Sequence, residues 1–347
     1  MKRYLLLVIV FLSACASSSL KDNNTTVGPI QEYDDKVVIK PLPAPTQDEK
    51  NSASAPASTA TPKLGLEPLT KVEMKGKKKK KSPESPEVPE AVVTGVRQPE
   101  VEDTEGFNGR RPIVDPFHVG EKVTMMVTYF GVSAGDITLE VKPYVEVNGR
   151  KAYHFYSKLD SSSVFSMFYK IDDFANSYMD YEQLVPINFS ISVKESKQLR
   201  EVRQIFDWKT LKASFWERKV TQESGVEEKK KNWDLRPFSQ DIYTALYYIR
   251  MFALKEGKTY IYPVSDDNKN WEVKAKVIRR EILKTDLGNF KTVVIQPQVA
   301  AEGVFKPMGE VFFWYTDDER HFPVKFEAKI KIGKLVGYLK ALEKGAP

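Results

Sequence analysis

Apolar and polar side chains alternate along most of the chain from about residue 115 to residue 345. The clearest run is PVKFEAKIKIG, in which every second residue is apolar: Val324, Phe326, Ala328, Ile330 and Ile332. Similar runs cover 121–129, 136–147, 151–159, 187–207, 211–222, 259–264, 271–283, 289–299 and 309–316. A period of two is typical of half-buried antiparallel strands. The pattern therefore predicts a mainly β domain over 115–347, with roughly a dozen strands separated by polar turns.

One stretch, SQDIYTALYYIRMFALKEGK, has apolar residues at helical spacing instead. Ser239 is a candidate N-cap and Gly257 a candidate C-terminal stop, so the pattern predicts one helix over about 239–257. Most faces of this helix are apolar or aromatic, which is typical of a helix buried on most sides. The predicted fold is therefore a strongly curved antiparallel sheet, an open barrel or β-spiral, wrapped around one buried helix.

The predicted helix also supplies the candidate ligand-binding residues. Leu246 and Ile249 lie on the stripe expected to face the core, so Leu246→Ala should cost about 2–5 kcal/mol. Tyr243 and Tyr247 lie one turn apart and are displaced round the helix from that stripe. We therefore expect these two tyrosines to face any unfilled part of the concavity, where they are the candidate ligand-binding pair.

The pentapeptide GVSAG, residues 131–135, matches the G-x-S-x-G pattern with which hydrolases present a nucleophilic serine. That motif needs a strand, a sharp turn and a helix, whereas the residues after Gly135 alternate with a period of two. The three histidines lie near the start of the domain, inside a predicted strand and in a turn: His118, His154 and His321. The sequence therefore predicts that Ser133 lies in a hairpin, and it indicates no catalytic residue and no enzyme.

Other chemistry is equally sparse. Three pairs of adjacent aspartates occur in the predicted β domain: Asp172–Asp173, Asp266–Asp267 and Asp317–Asp318. Adjacent residues of a strand point to opposite faces, and turns favour aspartate for backbone reasons. The sequence has no EF-hand spacing, no His/Cys cluster for zinc and no glycine-rich phosphate loop. We therefore expect neither a metal site nor a cofactor.

Aromatic and thioether side chains are concentrated between residues 165 and 181: Phe165, Met167, Phe168, Tyr169, Phe174, Tyr178 and Tyr181. Two interpretations stay open. With Trp271 and Trp314 they line an apolar groove, which is the expected shape for a lipid or hydrophobic-peptide site. Alternatively, they pack the core against the predicted helix, as aromatic residues generally do.

The first fourteen residues have the organisation of a secretory signal. Lys2 and Arg3 precede an apolar run, and small residues then lead to Cys15. The stretch L-S-A-C resembles the bacterial lipoprotein cleavage box, which implies removal of residues 1–14 and lipidation of Cys15. This is the only cysteine of the 347 residues, so no disulfide can form within the chain. The absence of aspartate directly after Cys15 implies, by the same resemblance, the outer membrane rather than the inner one.

From residue 15 to about residue 114 the composition changes. Pro, Ser, Thr, Lys and Glu dominate, and Tyr33 is the only aromatic residue before Phe107. Such a segment buries too little apolar surface to offset its conformational entropy, so we expect a disordered tether. The run Lys77–Lys81 is either a solvated, self-repelling stretch of linker or a contact for anionic lipid headgroups or other polyanions. Because the chain is expected to be exported, its net charge of +6 does not indicate a nucleic-acid partner.

Five stretches together resemble a known family. They are the predicted helix and the segments GEKVTMMVTYFGVSAGDITLEV, FYKIDDFANSYMDYEQLVPINF, GNFKTVVIQP and VFFWYTDDERHFPVKFEAKI. From about Gly120 to Leu342 the chain is similar to the bacterial envelope family catalogued as domain of unknown function 3108. The resemblance implies an exported, nearly all-β domain whose sheet curls into an open barrel or spiral, and it supplies no catalytic residue.

Three functions fit these expectations. The favoured one is a non-enzymatic lipoprotein of the outer membrane, with its domain in the periplasm, that supports envelope integrity or assembly by binding a protein, a glycan such as peptidoglycan, or a lipid. The second is a carrier that holds lipid or lipoprotein acyl chains in the concavity of the sheet. The third is a hydrolase of envelope components. The state of the interior distinguishes the first two, because a carrier needs an open apolar cavity there.

Overall fold

The computed structural model describes residues 29–42, 106–301, 304–306, 310–329 and 333–346. In these residues strands far outnumber helices, and nearly all strands belong to one antiparallel sheet. The prediction of a mainly β, antiparallel domain is therefore confirmed.

The sheet consists of two meanders and a few short flanking strands. Near the start of the described chain lie β1 (Ile39–Pro41), β2 (Phe107–Asn108) and β3 (Arg111–Pro112). The first meander contains β4 (Glu121–Tyr129), β5 (Val132–Val147), β6 (Arg150–Ser161), β7 (Asp172–Asp180), β8 (Pro186–Glu195), β9 (Gln198–Asp207), β10 (Lys212–Thr221) and β11 (Gly225–Asp234). The second contains β12 (Thr259–Asp266), β13 (Lys269–Thr285), β14 (Gly288–Ala301), β15 (Val304–Lys306), β16 (Val311–Thr316), β17 (Pro323–Lys329) and β18 (Lys334–Lys344). The described helices are α1 (Gln31–Asp34), α2 (Ser163–Ser166) and α3 (Thr244–Tyr248).

The two meanders join at the middle of the sheet, where β18 pairs with β4. This leaves β11 and β12 as the two edges, and no backbone ladder connects them in the part of the chain that the structure describes. Side chains connect them instead. Trp233 Nε1 donates a hydrogen bond to Ser265 Oγ at 2.8 Å, and Lys231 Nζ lies 2.8 Å from the Asp267 carboxylate. The described sheet is thus not a closed barrel.

The first meander gives the sheet two distinct ends. The turns at 130–131, 162–171, 196–197 and 222–224 all lie at one end, because the strands run alternately up and down. We call this the Phe168 end. The turns at 148–149, 181–185 and 208–211 lie at the opposite end, which we call the Asn148 end.

The expectation of one helix over 239–257 was wrong. Helical backbone is limited to the five residues of α3 and a following 3-10 turn at Ile249–Met251. Ser239 does not cap a helix; the N–H groups of Tyr243 and Thr244 donate instead to the Asp241 carboxylate, at 2.7 and 2.8 Å.

Backbone pairing explains why the helix is so short. The Gln240 N–H donates to the Pro263 carbonyl, and the Ser265 N–H donates to the Gln240 carbonyl, both at 2.8 Å. Gln240 thereby forms a parallel bridge to β12. At the other end, Phe252 has extended backbone angles (φ −91°, ψ 155°). The backbone on both sides of α3 is therefore not available for helical hydrogen bonds.

The shorter helix changes which side chains are buried. Ile249 lies in the core as expected, with 3% of its surface exposed. Leu246 is only half-buried, so the expectation that it faces the core was wrong. Tyr243 and Tyr247 are both buried. Apolar residues recur at helical spacing over twenty residues of the sequence, but fewer than ten of these residues have helical backbone. The spacing of so few residues does not fix which side of the helix faces the core.

The expectation that residues 15–114 form a disordered tether was wrong for residues 29–42. These residues form α1 and β1, and β1 pairs with β5 in an antiparallel register from Ile39↔Val147 to Pro41↔Val145. The Val38 N–H also donates to Asn148 Oδ1 at 2.8 Å. Cys15 and the run Lys77–Lys81 lie outside the described residues.

Tyr33 explains why this segment docks. Its side chain is buried, its ring meets Trp216 edge-on at 6.2 Å, and Asn188 Nδ2 donates to its hydroxyl at 2.6 Å. The preceding Glu32 accepts from Trp216 Nε1 at 3.0 Å and from Lys230 Nζ at 2.7 Å. One aromatic and one charged residue thus attach the segment to three strands of the first meander.

The domain also starts earlier than residue 115. The short hairpin of β2 and β3 precedes that position, and Arg110 Nη2 donates to the Gln183 carbonyl at 2.6 Å. Arg111 Nη1 donates to the Tyr153 hydroxyl at 3.0 Å, and Arg111 Nη2 lies 3.2 Å from Asp115 Oδ2. These contacts make the hairpin part of the folded domain.

Candidate functional site

The GVSAG stretch forms a hairpin, as the sequence predicted. Phe130 and Gly131 make the turn between β4 and β5, and Ser133 lies in β5 opposite Thr128. Gly135 is required by a close approach between strands, because a Cβ there would lie 2.1 Å from the Asp160 carbonyl oxygen. The glycine that completes the motif therefore has a packing role.

The structure brings none of the three histidines to Ser133. His118 precedes β4, seven or more residues from the Thr128 position, which corresponds to about 20 Å or more along a strand. His321 lies near the same point, since its Nδ1 hydrogen-bonds to the Arg250 carbonyl at 2.8 Å. His154 pairs with Lys142 of β5, about 30 Å along that strand from Ser133.

A cross-strand carboxyl pair is suited to hold a proton near neutral pH. Asp173 of β7 and Glu195 of β8 share a hydrogen bond, and burial together with the charge of Glu195 raises the pKa of Asp173 to about 7. Burial also raises the pKa of Glu195, whose Oε2 accepts from the Tyr169 hydroxyl and from Gln198 Nε2, both at 2.6 Å. Perturbed carboxyls of this kind occur at functional sites and in structural networks alike.

The sequence alone did not indicate this pair, because the acidic residue next to Asp173 along the chain is Asp172. The partner of Asp173 is 22 residues further along the chain, in the next strand. Only the register of β7 with β8 could have indicated it, and that register depends on the 181–185 turn. In the described residues no three His, Cys, Asp or Glu side chains group as a metal site would require.

A buried ion-pair cluster joins distant parts of the chain. Glu121 and Arg250 are almost fully buried, and their side chains form a bidentate pair with N–O distances of 2.6 and 2.9 Å. Arg320 Nη2 donates to the same carboxylate at 2.8 Å, and Arg320 Nη1 lies 2.7 Å from His118 Nδ1. Burial and the neighbouring Arg320 lower the pKa of His118, so its neutral Nδ1 accepts this hydrogen bond at pH 7. The cluster is fully paired and thus structural in character.

The candidate ligand pair lies among packed rings. The Tyr247 ring stacks on Phe155 at 3.8 Å and meets Phe117 edge-on at 5.7 Å. Tyr243 packs in a separate cluster, with its ring 6.1 Å from that of Phe189. The two tyrosines therefore do not line one common surface, although the Tyr247 hydroxyl is buried with no hydrogen-bond partner among the described residues.

The aromatic segment 165–181 is divided in the same way. Tyr178 is buried and belongs to a cluster that Val37 of the docked N-terminal segment also contacts. Tyr181 packs against the main core cluster. In contrast, Met167 and Phe168 are 74% and 82% exposed. Neither interpretation of this segment holds as a whole, because some of its side chains are in the core and others are in solvent.

The fold defines the chain as a mainly antiparallel β protein. The family model for "Protein of unknown function (DUF3108)" matches residues 124–340, and the chain belongs to this family. No curated protein gives a significant match.

Solved structures give only distant similarity. A β-barrel-like protein of the family DUF1849 from Brucella abortus is 13% identical with a TM-score of 0.42, covering 65% of this chain and 97% of its own. An exported protein with a YmcC-like fold from Bacteroides fragilis is 9% identical with a TM-score of 0.29, covering 66% and 97%. A lipoprotein from Parabacteroides distasonis has the same identity and TM-score, covering 65% and 95%. Among the described residues, no helix is long and apolar enough to span a bilayer.

Proposed function

We propose that this protein is an outer-membrane lipoprotein whose periplasmic β domain acts by binding an envelope protein, glycan or lipid, without catalysing a reaction. The observation that carries this proposal is the position of the docked segment. Pro29, where the described chain begins, follows Cys15 of the L-S-A-C box by fourteen residues. The folded domain thus begins only a short distance along the chain from the expected lipid anchor.

A binding role fits the interior better than a carrier role does. The segment 239–254 bonds to strands of both meanders: Ser177 Oγ of β7 donates to Asp241 at 2.6 Å, and Tyr262 Oη of β12 donates to the Ala245 carbonyl at 3.2 Å. Our proposal is that the sheet curls around this segment. The stacked rings of Phe155 and Tyr247 then occupy space that a carrier would need for acyl chains.

A binding role also fits the chemistry of the described residues better than hydrolysis does. Ser133 has no histidine within reach, and the Glu121–Arg250 cluster is fully paired. The proposal therefore assigns recognition to the surface of the domain.

Replacing the anchor residue tests the proposal. Cys15→Ser should abolish incorporation of labelled palmitate and release the protein from the membrane fraction. Ala16→Asp is the matched variant, because it keeps the acylated cysteine and should move the protein from the outer to the inner membrane. A Cys15→Ser protein that still incorporates palmitate would show that the lipoprotein assignment is wrong.

A further inference from the structure

Five exposed apolar side chains are gathered at the Phe168 end of the sheet. They lie in two neighbouring turns and are between 58% and 82% exposed: Phe130, Val132, Val164, Met167 and Phe168. Isolated exposed apolar residues are normal, but a contiguous group marks an interaction site. We call these five residues the apolar rim.

Polar contacts fix the two turns beside each other while the apolar side chains point outward. Ser162 Oγ donates to the Ser133 carbonyl at 2.9 Å, and the Ser162 N–H donates to the Ala134 carbonyl at 2.9 Å. Ser162 Oγ also accepts from the Phe165 N–H at 3.2 Å, which caps α2. The loop that carries Met167 and Phe168 is therefore attached to the start of β5, directly after Phe130 and Val132.

The turn between β4 and β5 leaves an aromatic residue largely exposed, although its ring lies 4.5 Å from that of Tyr129 and beside Gly333. Phe130 and Gly131 both have positive φ, 50° and 77°. Two-residue hairpin turns with this geometry favour Asn-Gly, and a bulky side chain there is a backbone outlier. Phe130 is 66% exposed, so burial in this domain does not explain it either. An external apolar partner would explain both features.

The path of the N-terminal segment identifies that partner. Arg218 Nη1 lies 3.5 Å from the Pro29 carbonyl, and Arg218 is three residues from the Thr221 end of β10. From there the chain runs across the sheet to β1, beside the 148–149 turn. The described chain therefore begins near the Phe168 end, about 20 Å across the strands from the 162–171 turn.

Pro29 is only fourteen positions after Cys15. A chain of that length cannot reach beyond about 50 Å, even fully extended. We propose that the apolar rim inserts into the surface of the membrane that carries the lipid anchor. Apolar and aromatic side chains at the tips of rigid turns are suited to the boundary between headgroups and acyl chains. The inference rests on the proposed anchor, which fixes the distance to the membrane.

Site-specific labelling of the acylated full chain tests this inference. Since Cys15 is the only cysteine and its thiol would be acylated, Phe168→Cys provides a single site for an environment-sensitive fluorophore. Leu211→Cys is the matched control, because Leu211 is an exposed apolar residue in a turn at the Asn148 end. In phosphatidylethanolamine–phosphatidylglycerol vesicles, brominated acyl chains should quench the label at residue 168 and leave the label at residue 211 unquenched.

The outcomes separate the rim from the anchor. The mass of the purified chain reports acylation independently of quenching. If the chain is acylated but the label at residue 168 is unquenched, the proposal that the apolar rim inserts into the membrane is wrong, while the anchor stands. Crosslinking of residue 168 to a protein in cells would then identify a protein partner instead. Equal quenching at residues 168 and 211 also contradicts insertion of the apolar rim, because it shows that neither end of the sheet preferentially contacts the membrane. A chain without acyl groups overturns the anchor and the rim together.

A second variant gives a quantitative result. The Cys15→Ser chain should keep only the weak affinity that the apolar rim gives it for concentrated vesicles of the same lipids. Replacing Phe130, Met167 and Phe168 by serine in this chain should weaken that affinity about tenfold or more. Replacing Leu211 by serine should leave binding unchanged. Equal vesicle binding by the triple variant and its parent overturns the rim.

Discussion

Two tyrosine hydroxyls in the main aromatic cluster differ in their hydrogen bonds. Both Tyr153 and Tyr247 stack on Phe155, but only Tyr153 is bonded, to Asp115 and Arg111. Tyr153→Phe should therefore cost about 1–3 kcal/mol in urea denaturation, whereas Tyr247→Phe should cost nothing or stabilise by up to about 1 kcal/mol. A loss above about 1 kcal/mol for Tyr247→Phe would contradict this and show that its hydroxyl has a bonding partner.

The carboxyl pair makes stability depend on pH. The pKa of Asp173 is raised to about 7 from an ordinary value of 3.8, so between these pH values the folded protein binds more protons than the unfolded chain. Its contribution to stability is therefore greatest in acid and is lost as the pH rises towards 7. Asp173→Asn should raise the melting temperature at pH 8 and have little effect at pH 4. Asp172→Asn, in the same strand, is the control and should show no such pH-dependent gain.

At the scale of single residues, the sequence predicted what depends on local pattern. The prediction that Ser133 lies in a hairpin is confirmed. It depended only on local pattern, because apolar and polar residues that alternate on both sides of a turn indicate two paired strands. Tyr243 and Tyr247 were predicted to line one cavity, but in the structure they lie in different hydrophobic clusters. Their positions depend on the 3-10 turn and on the bridge of Gln240 to β12, which are set by tertiary contacts.

Among the elements, the docked segment 29–42 depends most on one residue. Tyr33→Ala would leave a cavity beside Trp216 and an unpaired Asn188 amide, and should cost about 2–5 kcal/mol of docking free energy. Hydrogen exchange should show lost protection of the β1 amides. Val38→Ala, which truncates an exposed residue of the same segment, should leave that protection in place. Unchanged protection in Tyr33→Ala would mean that other contacts hold the segment.

The sequence contained one indication of this segment that composition concealed. Averaged over residues 15–114, Pro, Ser and Lys dominate, and this composition indicates a segment that forms no core of its own. Tyr33 is nevertheless the only aromatic residue between Cys15 and Phe107, and it is the residue that docks. The predicted helix over 239–257 was too long for a related reason. Apolar spacing does not distinguish a buried helix from a buried extended segment.

The whole molecule is connected through Glu121 and Arg250. Glu121 begins β4, and Arg250 lies in the 3-10 turn that follows α3. Arg320 bonds to both and also donates to the Lys344 carbonyl. Arg250→Met should destabilise the domain by about 3–5 kcal/mol, because it leaves a buried carboxylate incompletely paired. Adding Glu121→Gln should recover part of that loss. If the double variant is no more stable than Arg250→Met in chemical denaturation, the two side chains are not energetically coupled.

The docking of residues 29–42 also gives the molecule a direction. The segment between residues 42 and 106 leaves the domain from β1, which pairs with Val145–Val147, and returns beside the 181–185 turn. Both points lie towards the Asn148 end, whereas Pro29, the first described residue after the proposed anchor, lies near the Phe168 end. With the Phe168 end on the lipid, both points between which Lys77–Lys81 lie in the sequence face away from the membrane. A polyanion bound by these lysines would then be joined to the membrane through the whole domain, so that the protein would connect two partners attached at opposite ends.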